Sequence, residues 1–163
     1  IPRSLQLTIF GDLDVSILGE LPKGRQPIYT RVIPGIDLHD QLYPKIREVL
    51  SLPPDIKGRG TKMHGRQIYW ICKSIEENGS DATSVKNRAK KLQEIFPDKK
   101  IEFLHGKMKP ADKDTIMAAF ADGVIDILVS TTVVEVGVDV PNATLMVIEN
   151  AESYGLAQLH QYL

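Results

Sequence analysis

The stretch from Asp126 to Asn142 constrains the fold of this chain more than any other. It opens with a short, continuous apolar run, Ile127-Leu128-Val129, which is typical of a strand buried on both faces of a parallel sheet. Three hydroxyl side chains, Ser130-Thr131-Thr132, follow at the predicted C-terminal end of that strand. Open α/β sheets bind ligands in the crevice beyond this end of their strands. The stretch therefore predicts both an α/β fold and the place of a binding site.

Gly137 and Asp139 follow the hydroxyls within a second apolar context. A glycine permits close backbone approach, a carboxylate can accept a hydrogen bond from a ribose hydroxyl, and the Thr131 and Thr132 hydroxyls can donate to phosphate. Taken alone, these residue types favour a simpler alternative. In that alternative the buried strand is followed by a turn, which Thr131 caps and Asp139 closes.

The rest of the chain alternates predicted strands and helices at the spacing of a parallel sheet covered on both faces. The other predicted strands are residues 28–33, 67–72, 101–104 and 144–148. The predicted helices begin at caps Asp37 and Ser84, at Pro110, and near Gly155. Their predicted buried faces contain Leu38, Leu42, Ile46, Val49 and Leu50, then Val85, Ala89, Leu92 and Ile95, then Ile116, Met117 and Phe120. We expect a single three-layer α/β domain.

The composition fits a soluble globular protein, with 42% hydrophobic and 25% charged residues among 163. The apolar runs are too short to span a bilayer, and the N-terminus lacks a signal-peptide pattern. A single cysteine, Cys72, excludes an internal disulfide and is expected to be buried. We therefore expect a reducing, cytoplasmic compartment. A net charge of −1 means that any nucleic-acid binding must come from a local patch.

Residue types and spacing show no complete catalytic set and no metal site. Residues 19–26 and 60–67 both read G-x-x-x-x-G-Arg-Gln, but they lack the hydroxyl that holds Mg²⁺ and do not lie between a strand and a helix. We interpret both as coincidental turns. The four histidines have no metal-ligand spacing with the cysteine, and no G-x-S-x-G nucleophile is present. Glu149 and Glu152 are predicted to be structural or solvent-facing.

Polar loops follow three of the predicted strands. They are His105-Gly106-Lys107, Ser130-Thr131-Thr132 and Lys73-Ser74. Loops at neighbouring strand ends can converge on one polyanion and hold its backbone without reading its sequence. We therefore expect these loops to form a binding surface for a polyanion.

Several motifs along the whole chain resemble those of the RecG family, bacterial ATP-dependent DNA helicases that remodel stalled forks and branched recombination intermediates. The motifs are residues 1–5, 11–16, 20–25, 105–110, 131–143 and 148–152, together with Gln158-Leu159-His160-Gln161. The resemblance implies a three-layer RecA-like domain of the P-loop NTPase type with a mainly parallel sheet. That domain would be the second, C-terminal motor lobe.

The resemblance also implies roles for particular residues. Thr131, Thr132 and the loop His105, Gly106 and Lys107 would contact the DNA backbone, while Gly137 and Asp139 would meet the sugar of ATP. ATP and Mg²⁺ would be held mainly by the first motor lobe. The implied partners are branched or forked DNA and the first lobe and wedge domain of the same polypeptide. The implied location is the bacterial cytoplasm, associated with the nucleoid.

The resemblance divides the chain into a tail of motif III with a linker, 1–25, and the RecA-like lobe, 26–163. After Gln161 the family continues into motif VI, Gln-Leu-Arg-Gly-Arg-Val-Gly-Arg, whereas Tyr162-Leu163 follows here. The lobe is thus expected to be truncated or gapped before motif VI. An arginine finger of the kind in that motif contributes about three to five orders of magnitude in rate. We predict that the isolated chain hydrolyses no ATP.

Three alternatives stay open. The first is the equivalent lobe of an Mfd-like transcription-repair coupling translocase, whose pattern would carry Ile-Glu-Thr-Gly-Ile-Asp-Ile-Pro where this chain has Val-Glu-Val-Gly-Val-Asp-Val-Pro. The second is a RecA-like module that docks partners without catalysis. The third is a flavodoxin-type nucleotide-binding domain, which would need a phosphate-cradling turn after the first strand.

Overall fold

The computed structural model of this chain describes residues 29–33, 38–54, 65–72, 81–131 and 140–155. The chain divides into two compact units, one comprising Ile1–Val32 with Ala151–Leu163 and the other Ile33–Asn150. In the first unit, the described part contains a short 3-10 helix, Ala151–Ser153. The second unit contains the sheet.

The sheet has four strands among the described residues, all of them parallel, in the order β2-β3-β1-β4. The strands are β1 (Gln67–Ile71), β2 (Ile101–Leu104), β3 (Ile127–Ser130) and β4 (Ala143–Ile148). Every residue of the central strands β1 and β3 is buried. Strands covered on both faces need apolar residues at successive positions rather than at alternate ones. The predicted continuous strands are therefore confirmed.

Three α-helices accompany the strands in the described ranges, and their ends follow from the sequence. They are α1 (Tyr43–Ser51), preceded by a π-helical turn Leu38–Leu42, α2 (Asp81–Ile95) and α3 (Pro110–Ala121). Proline occupies the first turn of both α1 and α3, where its missing N–H costs no hydrogen bond. Helix α1 stops because Leu52, which precedes Pro53, is extended with ψ 147°. Gly123 follows α3 with a φ of 76°, a conformation that favours glycine.

Helices cover both faces of the sheet, which makes the unit three layers thick. Side chains of α1 and α2, such as Ile46 and Leu92, pack with Trp70 on one face. Side chains of α3, such as Phe120, pack with Tyr69 on the other face. Trp70 and Tyr69 are consecutive in β1, so they point to opposite faces. Cys72 is buried against the first face, as expected.

Two details of the predicted elements are wrong. Residues 29–33 form no strand, and the side chains of Tyr29 and Val32 are 92% and 88% exposed. An apolar segment becomes a strand only where it gains hydrogen-bonding partners and a surface against which its side chains are buried. The side chains of Tyr29 and Val32 are not buried against any surface. Helix α2 begins at Asp81 instead of being capped by Ser84. The helix therefore includes residues N-terminal to the predicted cap.

Some predictions fall outside the described residues. The proposed cap Asp37, the loop from Lys73 and the chain beyond Gly155 are among them. Within the described ranges, Val85 and Leu92 lie on the buried face of α2, and Met117 lies on that of α3, as predicted.

A candidate DNA and nucleotide interface at the strand ends

The C-terminal end of β3 lies between the ends of two neighbouring strands. Ser130 pairs with Ile71 of β1 on one side and with Leu104 of β2 on the other. Its carbonyl accepts a hydrogen bond from the Cys72 backbone N–H at 2.9 Å. Thr131 follows directly and is only 5% exposed. Thr131, the first residue of this segment that is predicted to contact DNA, therefore lies at the C-terminal edge of the sheet, on a strand between β2 and β1.

The loop after β2 lies beside Thr131 because of the strand register. Leu104 pairs with Ser130, so His105 and Thr131 each follow a paired residue on adjacent strands. Neighbouring parallel strands lie roughly 4.8 Å apart. Two segments separated by more than twenty residues in the sequence are thus brought together at one edge, as the strand-end argument predicts.

The His105-Gly106-Lys107 loop forms a tight turn. The Met108 backbone N–H donates to the His105 carbonyl at 3.1 Å, and the Lys113 Nζ donates to the Gly106 carbonyl at 3.0 Å. Gly106 and Lys107 are exposed. The turn is therefore held in place from α3 while its tip faces solvent.

His105 combines a fixed ring with an unused polar atom. Its imidazole stacks on Phe103, with the ring centroids 6.2 Å apart and the planes 13° from parallel. Within the described part of the chain, its buried Nδ1 has no hydrogen-bond partner. A buried polar atom without a partner costs about 1–3 kcal/mol of stability.

Three lysines give this loop a local positive charge. Lys107 and Lys109 are exposed, and Lys113 lies one helical turn after Lys109, beside the loop. The sequence prediction named Lys107 but missed the other two. The spacing from Lys109 to Lys113, together with the helix start at Pro110, is the signal that could have identified them. Exposed ammonium groups of this kind bind phosphate backbones without reading sequence.

On the opposite side of the edge, the carboxylate of Glu149 has a structural role. It accepts the Trp70 Nε1–H at 2.5 Å and pairs with Arg88 through the Nη2 atom at 2.9 Å. The Arg88 guanidinium also lies 6.0 Å from the centre of the Trp70 ring. Helix α2, β1 and the end of β4 are thereby joined. Glu149 is structural and Glu152 is exposed, as the sequence indicated.

The glycine-rich near match at 60–67 is not a phosphate-binding loop. Gly65 and Arg66 lead into β1, whereas a phosphate-binding loop follows a strand and opens a helix. A Cβ at Gly65 would lie 1.9 Å from the Leu50 carbonyl oxygen, so glycine is needed there for close packing. The other near match, at 19–26, lies outside the described residues.

The structure locates only some of the predicted site residues. Thr132, Gly137 and Asp139 lie outside the described ranges, and so does the Lys73-Ser74 loop. Among the described residues, no group of three or more histidine, cysteine or acidic side chains could hold a metal ion. None of the helices in the described ranges is both long and apolar enough to cross a membrane.

The fold and the site together define the class of this protein: a three-layer α/β domain whose strand-end loops suit a phosphate backbone. The chain matches the family model of the helicase conserved C-terminal domain over residues 45–163. The chain belongs to that family. Its fold is accordingly the RecA-like fold of a helicase C-terminal lobe.

The chain is also similar to curated proteins called ATP-dependent DNA helicase RecG. The match is 48% identical over 163 residues with that of Synechocystis sp., 46% over 162 residues with that of Pasteurella multocida and 42% over 165 residues with that of Escherichia coli strain K12. Each covers 99% of this chain but 18%, 22% and 22% of the respective relative. The chain thus spans about a fifth of the length of these relatives. The predicted resemblance to RecG is confirmed.

One solved structure, the C-terminal domain of S. cerevisiae Dbp5 bound to Gle1 and IP6, aligns with 51% of this chain and 56% of that chain. The alignment has a TM-score of 0.34 and 20% sequence identity, values too low to add to the fold assignment.

Proposed function

We propose that this chain is the second motor lobe of an ATP-dependent DNA helicase that remodels stalled forks and branched recombination intermediates. The observation that carries the proposal is the register Leu104–Ser130, which places His105-Gly106-Lys107 beside Thr131 at one sheet edge. Two segments expected to hold a DNA backbone are thereby adjacent. The similarity to RecG proteins along 99% of the chain supports the same function.

In this proposal the DNA backbone runs over the strand ends of β2 and β3. The exposed Lys107 ammonium contributes charge, the Gly106 turn allows close approach, and the Thr131 and Thr132 hydroxyls donate to phosphate oxygens. Contacts of this type grip DNA of any sequence, which a translocating motor requires.

The nucleotide would lie between this lobe and a first motor lobe. Gly137 and Asp139 would approach the sugar of ATP, while the phosphates and Mg²⁺ would be held mainly by the first lobe. ATP, when bound, would supply the free energy that alternates the grip of the two lobes on DNA. The partners would be the first lobe, a wedge domain and branched DNA, in the bacterial cytoplasm near the nucleoid.

The division of labour fits the length of the chain, which spans about a fifth of the RecG proteins it matches. We propose accordingly that residues 1–25 link the lobe to preceding motifs and that residues 26–163 form the lobe. The isolated chain should fold and should bind DNA and nucleotide weakly. It should hydrolyse no ATP, because it would supply only one side of the ATP site.

A DNA-binding experiment tests the proposal directly. Lys107→Ala should weaken binding of the chain to a fluorescently labelled forked oligonucleotide. It should also make the slope of log K against log salt concentration less steep by about 0.9, the amount expected for one lost phosphate contact. Lys90→Ala provides the matched control, because Lys90 is also an exposed lysine but lies on α2. Fluorescence anisotropy at several salt concentrations measures both effects. Equal losses in the two variants would contradict a specific role for the strand-end loop.

A second measurement tests the predicted inactivity. Purified chain should release no phosphate from ATP, with or without forked DNA. DNA-stimulated hydrolysis by this chain alone would contradict the proposal that it supplies only one side of the ATP site.

A further inference from the structure

The loop after β2 contains a four-residue turn whose two ends are fixed. The Met108 backbone N–H donates to the His105 carbonyl at 3.1 Å, which closes the turn. Leu104, just before the turn, is buried in the apolar cluster under α3, and Met108 packs against the same cluster. The peptide between the exposed residues Gly106 and Lys107 is therefore the part of the turn that the core does not hold.

The type of turn limits the orientation of this central peptide. Neither Gly106 nor Lys107 has a positive φ, as in a type I turn. Turning the central peptide over would give a type II turn, in which Lys107 needs a positive φ that a lysine seldom adopts. The peptide is trans, so its carbonyl and its N–H point to opposite sides. The direction of the Gly106 carbonyl therefore fixes that of the Lys107 N–H.

Lys113 holds the carbonyl side of the central peptide. Its Nζ donates to the Gly106 carbonyl at 3.0 Å. Lys113 lies in the first turn of α3, a helix that is anchored in the core by Met117. The carbonyl is thus tied to a packed helix and not to another part of the loop. The Lys107 N–H consequently faces away from Lys113, and it makes no hydrogen bond within the described part of the chain.

This arrangement suits a phosphate backbone on the open side of the turn. A backbone N–H donates to phosphate oxygens, and contacts of this kind position a nucleic acid without reading its sequence. A carbonyl on the same side would place partial negative charge against the phosphate and would repel it. The Lys113 ammonium keeps the Gly106 carbonyl on the other side and offsets its partial charge.

We propose that Lys113 is a positioning residue, which holds the central peptide of the turn so that the Lys107 N–H donates to a DNA phosphate. This inference rests on the proposed function and adds to it a backbone contact and the side chain that orients it. The Lys113 ammonium itself does not touch the DNA. It should therefore contribute nothing to the slope of log K against log salt concentration, which counts the phosphates that lysines and arginines neutralise.

The test compares the unchanged chain with its Lys113→Met variant during titration with a short forked oligonucleotide. Proton–nitrogen correlation NMR spectra follow the Lys107 backbone amide. In the unchanged chain this amide proton should move downfield as it gains a phosphate acceptor, and in Lys113→Met most of that movement should be lost. Affinity should fall about tenfold, the effect of one hydrogen bond to a charged group. Fluorescence anisotropy at several salt concentrations should show an unchanged slope.

Two further variants make the comparison specific. Lys109→Met is the matched control, because it also removes an ammonium beside the turn, but one that is exposed and does not hold the Gly106 carbonyl. It should leave the response of the Lys107 amide unchanged. Lys113→Arg keeps a charged donor at the same position and should restore most of the amide response and of the affinity. All three variants should fold, because neither lysine is buried, and urea unfolding checks this.

The outcomes separate the inference from the proposed function. If Lys113→Met keeps the Lys107 amide response, or reduces it only as much as Lys109→Met does, the positioning role is overturned. A slope that becomes less steep by about 0.9 in Lys113→Met would overturn it too, because Lys113 would then contact a phosphate itself. If the unchanged chain shows no DNA-dependent shifts at residues 105–109, the DNA role proposed for this loop is overturned instead. Loss of the amide response at constant slope, with recovery in Lys113→Arg, would establish the inference.

Discussion

The two edges of the sheet use polar residues in opposite ways. At the N-terminal edge, the Gln67 and Asn142 amides are buried and fully engaged with the protein itself. At the C-terminal edge, Lys107 is exposed and the His105 Nδ1 has no partner among the described residues. Polar groups satisfied by their own protein stabilise its structure, whereas an exposed ammonium such as that of Lys107 is available to a ligand.

The C-terminal edge is itself divided. On the β4 side, Glu149 is engaged by Trp70 and Arg88, so this part resembles the opposite edge in its function. On the β2 and β3 side, the polar residues are those expected to contact DNA. The difference shows that position at a strand end is not sufficient to identify a binding residue. The hydrogen bonds inside the protein have to be known as well.

The largest effect on stability is expected at the N-terminal edge. Gln67→Leu should lower the free energy of unfolding by about 2–6 kcal/mol, because the buried carbonyls of Phe120 and Ile125 each lose a donor at about 1–3 kcal/mol. Urea unfolding followed by the fluorescence of Trp70, the one tryptophan of the chain, measures this.

Gln93→Leu is the matched control for that substitution. The Gln93 Nε2 also donates to carbonyls, those of Phe96 and Lys99, but in a partly exposed region where water can replace it. Removal of the Gln93 amide should lower the free energy of unfolding by less than about 1 kcal/mol. Equal losses for the two glutamines would refute the distinction between the edges.

An intermediate effect is expected at the engaged part of the C-terminal edge. Arg88→Met should lower the free energy of unfolding by about 1–2 kcal/mol, because the partly buried Glu149 carboxylate loses its charged partner. It should also alter the emission of Trp70, since the same carboxylate accepts the indole N–H. Lys45→Met removes the exposed pair with Glu48 and should cost only about 0–0.5 kcal/mol. An Arg88 variant as stable as the Lys45 variant would show that the Glu149 cluster contributes nothing to folding.

The smallest effect on stability is expected at Thr131. Thr131→Val keeps the shape of the side chain and removes its hydroxyl, so the free energy of unfolding should change by no more than about 1 kcal/mol, the contribution of one neutral hydrogen bond. Affinity for forked DNA should nevertheless fall, because a phosphate oxygen loses a donor. Anisotropy and urea unfolding on the same preparations compare the two quantities. A variant that loses stability but keeps DNA affinity would place Thr131 with the structural residues instead.

Much of the fold was predictable from the sequence, and particular elements show why. The continuous apolar run Ile127–Val129 is typical of a strand covered on both faces, and Pro110 and Gly123 marked the ends of α3. The segment 28–33 has similar apolar content but forms no strand in its described part. Local composition gives the tendency to form a strand, whereas a neighbouring edge and a face to bury decide whether it forms.

The site was predictable in part. The positions of His105 and Thr131 after predicted strands indicated a shared edge, since parallel strands all end on the same side. Lys113 was missed, because its hydrogen bond to the Gly106 carbonyl depends on the orientation of α3 relative to the loop. The hydrogen bond between the Asn142 and Gln67 side-chain amides was missed for a similar reason. Gln67 and Asn142 are 75 residues apart in the chain, and nothing in their local sequence marks them as neighbours.

The sequence by itself therefore determined the alternation of strands and helices, the buried faces and the resemblance to a helicase lobe. These are properties of local pattern, which spacing and residue type express directly. Only the tertiary structure decided which strand ends are adjacent and which polar groups are satisfied. Strand order and register arise from contacts between segments far apart in the chain, and each hydrogen bond depends on the geometry of both partners.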